Sequence, residues 1–238
     1  MQLLILDAGH SFDTKGKNNL KENFYEWEFN NDMQYKIKSR CEDHNIKVFL
    51  TNPNPDTVSD IPLSTRANLG NDYWLKNGKP KSIFISLHAN AYSSSSARGT
   101  ETYVAKNGST TSKNFAKVLN DEIVKAMKKI DPDAKDRGVK TENFTVIYKA
   151  SMPSVLCEYG FYSNLDDLKI LKNNKDELVE ATVKAICSYF NIKYKEKVKA
   201  NESNLYAVCV GAYSYSTAKS KVEELKSKGY VDTYLIPR

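Results

Sequence analysis

Two histidines and a glutamate stand where apolar runs stop. They are His10 in Asp7-Ala8-Gly9-His10, His88 in Ser86-Leu87-His88-Ala89-Asn90, and Glu158 in Val155-Leu156-Cys157-Glu158-Tyr159-Gly160-Phe161. Each run reads as a buried strand, and in open α/β sheets functional groups gather beyond the carboxyl ends of strands. Two imidazoles and a carboxylate in that position are the raw material of a zinc hydrolase. Such an enzyme uses three N/O ligands with a fourth position for water, and a carboxylate that takes the water's proton. The set therefore needs a second carboxylate. Glu22, Glu26 and Glu28 all lie near the start of the first helical pattern, where a first-turn carboxylate points back toward the strand ends. Glu26, just before the inward face of Phe29, Met33 and Ile37, is taken as the ligand, with Glu22 as the alternative.

Competing readings of these residues are weaker. Glu158 closes an apolar run, where an unpaired carboxylate is costly to bury and needs a metal, a cation or a function. Asp7 is expected to orient the His10 loop. Ser86 is no hydrolase nucleophile: the Gly-x-Ser-x-Gly elbow is absent, and Ser86 is expected to point away from His88. His44, the third histidine, falls in an ordinary helix-to-strand turn.

The elements that must hold these groups alternate. Strands are expected at Leu3–Leu6, Ile46–Thr51, Ser82–Leu87, Thr100–Val104, Phe144–Tyr148 and Ser154–Glu158. Helices are expected from Glu26 to Asp43, Leu63 to Leu75, residues 110–130, and after the caps Asn164 and Asn174. Residues 11–25 and 52–61 read as loops. The pattern predicts an α/β fold, a mainly parallel twisted sheet flanked by helices, with a small C-terminal βαβ unit. The catalytic domain spans 1–190. The polar segment 191–203 reads as a linker. Residues 204–238 carry a strand at Leu205–Val210, a helix at Ser216–Lys228 and a strand at Tyr230–Ile236. Thirty-five residues are too few to bury a core alone.

Composition narrows the class. Of 238 residues, 40% are hydrophobic and 27% charged, which is a globular balance. No apolar run reaches the ~20 residues of a membrane span, so membrane insertion is not expected. The four cysteines, Cys41, Cys157, Cys187 and Cys209, form no Cys-x-x-Cys pair and are expected as buried thiols. The net charge of +6 favours polyanionic surroundings. There is no nucleic-acid motif. The N-terminus reads as a first strand and not as a signal peptide. The expectation is therefore synthesis in the cytoplasm, so that any action outside the membrane needs release by something else.

The chain resembles the zinc-dependent N-acetylmuramoyl-L-alanine amidases of the amidase-3 type, found in bacterial autolysins and phage endolysins. The motifs run in order over residues 1 to about 190: Asp7-Ala8-Gly9-His10, Glu26, Arg66 through Asn71, Ser86–Ala91, Gly99-Thr100-Glu101, and Pro153–Asn164. Ala8 and Ser11 stand where the family has Pro and Gly. The resemblance implies that His10, Glu26 and His88 bind Zn2+, that Glu158 is the catalytic carboxylate, and that Asn90 contacts substrate. It implies hydrolysis of the amide joining N-acetylmuramic acid to L-alanine in peptidoglycan, with zinc polarising the carbonyl and Glu158 moving the proton. The alternatives are another zinc hydrolase, such as a carboxypeptidase or deacetylase, or a non-catalytic wall-binding protein. The missing His-Glu-x-x-His motif argues against the common peptidases.

The tail resembles half of a sporulation-related (SPOR) repeat, a peptidoglycan-binding module, through Tyr206-Ala207-Val208-Cys209-Val210-Gly211-Ala212-Tyr213 and the Lys226–Tyr230 turn. That resemblance implies glycan contact by Tyr206 and Tyr213. A half-module without a core could complete its sheet with a second copy, giving a homodimer through residues 204–238, the alternative being a truncated relic.

Overall fold

Leu3, Leu4, Ile5 and Leu6 are all fully buried, so the first strand must be covered on both faces. It is. In this computed structural model, which describes residues 1–197 and 215–227, β1 (Gln2–Ala8) lies inside a six-stranded sheet. Its partners are β4 (Lys47–Leu50), β5 (Lys81–Asn90), β6 (Thr100–Val104), β7 (Asp136–Thr141) and β8 (Ser154–Phe161), in the order β4-β1-β5-β8-β6-β7. Strands β4, β1, β5 and β8 run parallel, while β6 is antiparallel to β8 and parallel to β7. A hairpin of β2 (Asn18–Asn19) and β3 (Phe24–Tyr25) stands apart from this sheet.

The helices cover both faces, as the mainly parallel α/β reading requires. On one side α1 (Glu26–Asp43), α3 (Thr110–Ile130) and α6 (Lys175–Phe190) bring Phe29, Met33, Ile37, Phe115, Leu119, Ile123 and Ile186 against Ile83, Ile85, Leu87, Val155 and Cys157. On the other, α2 (Leu63–Lys76) and α4 (Thr145–Tyr148) cover Leu3, Ile5, Phe84 and Leu156. Helix α5 (Leu165–Asn173) is capped by Asn164, whose Oδ1 accepts from the Asp166 and Asp167 amides, both at 3.1 Å. Cys41, Cys157 and Cys187 are buried free thiols. Among the described residues, no helix is long and apolar enough to cross a membrane.

One expected strand is corrected, and one strand that was not expected is found. Phe144–Tyr148 is not a strand but one turn of helix. Its β-branched and aromatic content suits a strand, but the buried residues are the adjacent Val146 and Ile147, with Phe144 and Tyr148 exposed. Adjacent burial has no place in the period of two of a half-buried strand. The sixth strand is Asp136–Thr141 instead. It is an edge strand of polar, largely exposed residues with a glycine inside, so it carries none of the apolar alternation by which strands are read.

Asp167 ties the site-bearing strands together. Fully buried, it accepts from the Gly99 amide (2.6 Å) ahead of β6, from the Phe161 amide (2.9 Å) in β8, and from Arg98 Nε (3.3 Å). Asp167→Ala leaves those donors without their acceptor and is expected to cost about 3–5 kcal/mol. Urea unfolding measures it, and a loss under about 1 kcal/mol would contradict this role.

The chain divides into two compact units, Met1–Lys195 and Glu196–Arg238. At the start of the expected linker, Ile192 and Tyr194 pack against the first unit's core, and the Lys195 amide donates to His44 Nε2 at 2.9 Å. In the second unit, helix α7 (Tyr215–Ser227) matches the expected Ser216–Lys228 helix. The flanking strands expected at Leu205–Val210 and Tyr230–Ile236, and both Tyr206 and Tyr213, lie outside the described residues.

Candidate metal centre

The carboxyl end of β1 is built around a buried acid. Asp7 accepts from Thr51 Oγ1 (2.6 Å) beyond β4 and from Ser86 Oγ (2.7 Å) on β5, and lies 3.5 Å from Arg66 Nη1 of α2. Arg66 also donates to the Ala8 carbonyl at 2.8 Å. Asp7 thus organises the loop that follows it, as expected. Ser86 is two residues from His88 on one strand and so shares its face, contrary to the expectation that it points away. Its hydroxyl is nonetheless held by Asp7.

That loop presents His10 in a left-handed backbone conformation, φ 67°. A β-carbon costs roughly 1–2 kcal/mol there. The conformation is held by hydrogen bonds to three successive carbonyls. Asn52 Nδ2 donates to Ala8 (3.0 Å) and to His10 (2.9 Å), and Asn30 Nδ2 donates to Gly9 (3.0 Å). Gly9 is required by contact, since a β-carbon there would sit 2.1 Å from His88 Cε1. The His88 ring packs directly on the loop backbone, with the His10 ring edge-on to it at 5.1 Å.

Glu26 comes from the first turn of α1. Its place is set by the β2–β3 hairpin: the Glu26 amide donates to the Lys17 carbonyl (3.0 Å), and Phe24 packs between Phe29 and Tyr162. Glu26 Oε1 lies 3.0 Å from His88 Nδ1 and 3.4 Å from His10 Nε2, and accepts from the Ala89 amide at 3.2 Å. Among the described residues, one ligand atom from each of His10, Glu26 and His88 falls within a 4.8 Å cluster. Glu22, the alternative, sits in the 3-10 turn Leu20–Glu22 and is not part of it.

The spacing fits a metal. Zinc–nitrogen and zinc–oxygen bonds of about 2.0–2.2 Å at tetrahedral angles put ligand atoms ~3.3 Å apart, and the two measured separations from Glu26 bracket that value. The protonation states fit as well. Burial alone would raise the Glu26 carboxyl, but hydrogen bonds from His10 and His88, and their charges, hold it well below the usual carboxylate range. Burial pushes His88 down against the opposing pull of Glu26. An ionised carboxylate and a neutral imidazole are the forms that bind a metal.

Glu158 is the direct neighbour of His88 across the β5–β8 pair, and of Glu101 across β8–β6. The three form a row on one face of the sheet. Glu158 Oε2 is buried without a hydrogen-bond partner. Burial first, then the charges of Glu26 and Glu101, push the Glu158 carboxyl well above its ordinary range, with Lys17 opposing.

Glu101 is treated differently by its surroundings. Its Oε2 accepts from Arg137 Nε (2.6 Å) and from Lys140 Nζ, and its Oε1 accepts from Tyr103 Oη (2.7 Å) and Asn90 Nδ2 (2.9 Å). Burial would raise this carboxyl, but Lys140, Arg137 and Tyr103 together bring it below its usual value. Asn90, expected to contact substrate, uses its amide nitrogen on Glu101 and its Oδ1 on the Ala91 amide (2.8 Å). Arg137 and Lys140 escaped the sequence reading. They lie three residues apart and reach one acceptor because Gly138, at φ 73°, breaks the alternation where the β6–β7 register shifts.

The N-acetylmuramoyl-L-alanine amidase family model matches residues 4–188. A sporulation-specific N-acetylmuramoyl-L-alanine amidase of Bacillus subtilis (strain 168) is 25% identical over 241 residues, 99% of this chain and 85% of that protein. An endolysin of Bacillus phage SPP1 is 29% identical over 198 residues, 82% of this chain and 68% of that protein. The catalytic domain of CwlV, an N-acetylmuramoyl-L-alanine amidase from Bacillus (Paenibacillus) polymyxa var. colistinus, superposes with a TM-score of 0.69 at 30% identity, over 81% of this chain and all of that one. Taken with the His–Glu–His cluster at the strand ends, these likenesses place the chain in the N-acetylmuramoyl-L-alanine amidase family.

Proposed function

We propose that this chain hydrolyses the amide between the lactyl group of N-acetylmuramic acid and L-alanine, using a zinc ion held by His10, Glu26 and His88, with Glu158 as the proton carrier. The observation that carries the reading is the pairing of the three-ligand cluster with Glu158, one strand away and with a buried, unpartnered oxygen. Zinc, when bound, would polarise the scissile carbonyl and acidify a water.

The protein's own residues supply the rest. Glu158, beside His88 and with an unpartnered oxygen, would in its ionised form take a proton from the attacking water and return it to the departing L-alanine amine. Asp7, Arg66, Asn30 and Asn52 keep the His10 loop rigid, so the ligands need little rearrangement. Digestion of purified walls followed by mass spectrometry tests the reaction. Free L-alanine amino termini and intact muramic lactyl carboxyls are expected. New reducing ends, or new termini inside the peptide, would instead show a glycosidase or a peptidase.

The tail is read as a wall-binding element, with Tyr206 and Tyr213 on glycan and a dimer formed through residues 204–238. The alignment with the sporulation-specific relative spans 99% of this chain and supports a tail that belongs with the enzyme. Light scattering at micromolar concentration checks the dimer, and a strict monomer would remove it. The sporulation and phage relatives favour action on the wall after release from the cell, by mother-cell lysis or through a holin.

A further inference from the structure

The row of acidic groups on the site face ends in a surplus of positive charge. Glu101 is buried at 2% exposure, yet it is paired with two cations where one would neutralise it. Tyr103 and Asn90 already satisfy its second oxygen. Arg137 and Lys140 remain about one-third exposed, at 34% and 37%. Asp136, the nearest acid on β7, is turned away, held by Asn120 Nδ2 of α3 at 2.8 Å and by the Gly138 amide. The Arg137 guanidinium lies 4.8 Å over the Phe161 ring and Lys140 Nζ 5.9 Å over Tyr103, so both heads are fixed. One net positive charge, preorganised by a buried carboxylate, thus faces the solvent beside the catalytic row.

From this we infer that Arg137 and Lys140 form an anion subsite for a carboxylate on the peptide side of the scissile amide. The inference rests on the amidase reading above and deepens it. The dimensions agree. Strand β7 lies two strand positions from β8, about 10 Å at ~4.8 Å per position. An extended peptide covers roughly 3.5 Å per residue. The subsite therefore reaches the second or third residue after the cleaved bond. In a peptidoglycan stem the second residue is a γ-linked glutamate, whose α-carboxyl is either free or amidated. A free carboxylate meets the surplus cation, while an amide does not.

The test uses two N-acetylmuramoyl tripeptides that differ only in that α-carboxyl, free or amidated, with full-length enzyme. Wild type is expected to prefer the free acid by about fivefold in kcat/KM, the scale of one partly exposed ion pair. The preference should shrink as salt is raised. Arg137→Gln and Lys140→Gln, each leaving one cation on Glu101, should bring the ratio toward one, with thermal unfolding checking that each variant folds. Binding of both tripeptides to Glu158→Gln, by calorimetry, gives the ratio without turnover and should show the same preference. Equal kcat/KM for acid and amide in wild type, or an unchanged ratio in both folded variants, overturns the subsite. If neither tripeptide is cleaved, the amidase reading fails, while unequal binding still upholds the anion subsite and equal binding ends it.

Discussion

Glu158→Gln is expected to lower turnover of purified walls by about 10²–10⁴-fold, the range of a positioned general acid–base. The substitution keeps the shape and removes only the ability to carry the proton. Metal content should stay at the wild-type value, because the ligand cluster is His10, Glu26 and His88. Stability should stay the same or rise. Glu158 has an oxygen buried without a partner, and its carboxyl is pushed far up by burial and by two acidic neighbours, so its ionised form is no asset to the fold. Turbidity loss, metal analysis and thermal unfolding on one preparation separate these effects. Lysis within about threefold of wild type would remove Glu158 from the mechanism.

Glu26→Ala should abolish both metal binding and lysis. Loss of an outer-shell partner typically costs 10–100-fold in metal affinity, and loss of one of three protein ligands is expected to exceed that. The effect differs from that of Glu158→Gln in where it begins. Glu26 also accepts from the Ala89 amide and lies against both histidines, so its removal leaves His88 and the end of β5 without their buried acceptor. Equilibrium dialysis against zinc gives the affinity. Glu22→Ala is the matched comparison and should bind zinc as wild type does. Retention of tight zinc binding by Glu26→Ala, with its loss in Glu22→Ala, would reverse the assignment.

The sites at risk in these experiments differ in how readily the sequence shows them. His10, His88 and Glu158 announce themselves because each interrupts an apolar run, and a polar group in such a place needs a reason. Glu26 is less distinct: three glutamates precede one helix, and helical periodicity orders them only within that helix. The β2–β3 hairpin, through the Lys17 carbonyl and the packing of Phe24 on Tyr162, sets which of them meets the imidazoles. Asn90 is a substrate contact only through the family resemblance, and its amide nitrogen is placed on Glu101 across the sheet, a pairing that no sequence spacing shows.

Local chemistry determined most of the sheet. Continuous apolar runs such as Leu3–Leu6 must be central strands, and the four-residue spacing of Phe29, Met33, Ile37 and Cys41 must be one helix face. These follow from burial, which acts on each segment through its own pattern. The edge strand Asp136–Thr141 could not be read in that way, because an edge strand is defined by its neighbour and not by its composition. Nor could the antiparallel turn of β6, which puts Glu101 opposite Glu158, or the kink at Gly138, which brings Arg137 and Lys140 to one oxygen. The sequence by itself determined which groups could do chemistry. Strand order and register, set by how the whole sheet packs, decided which acid faces the His–Glu–His cluster unpaired and which is neutralised beside it.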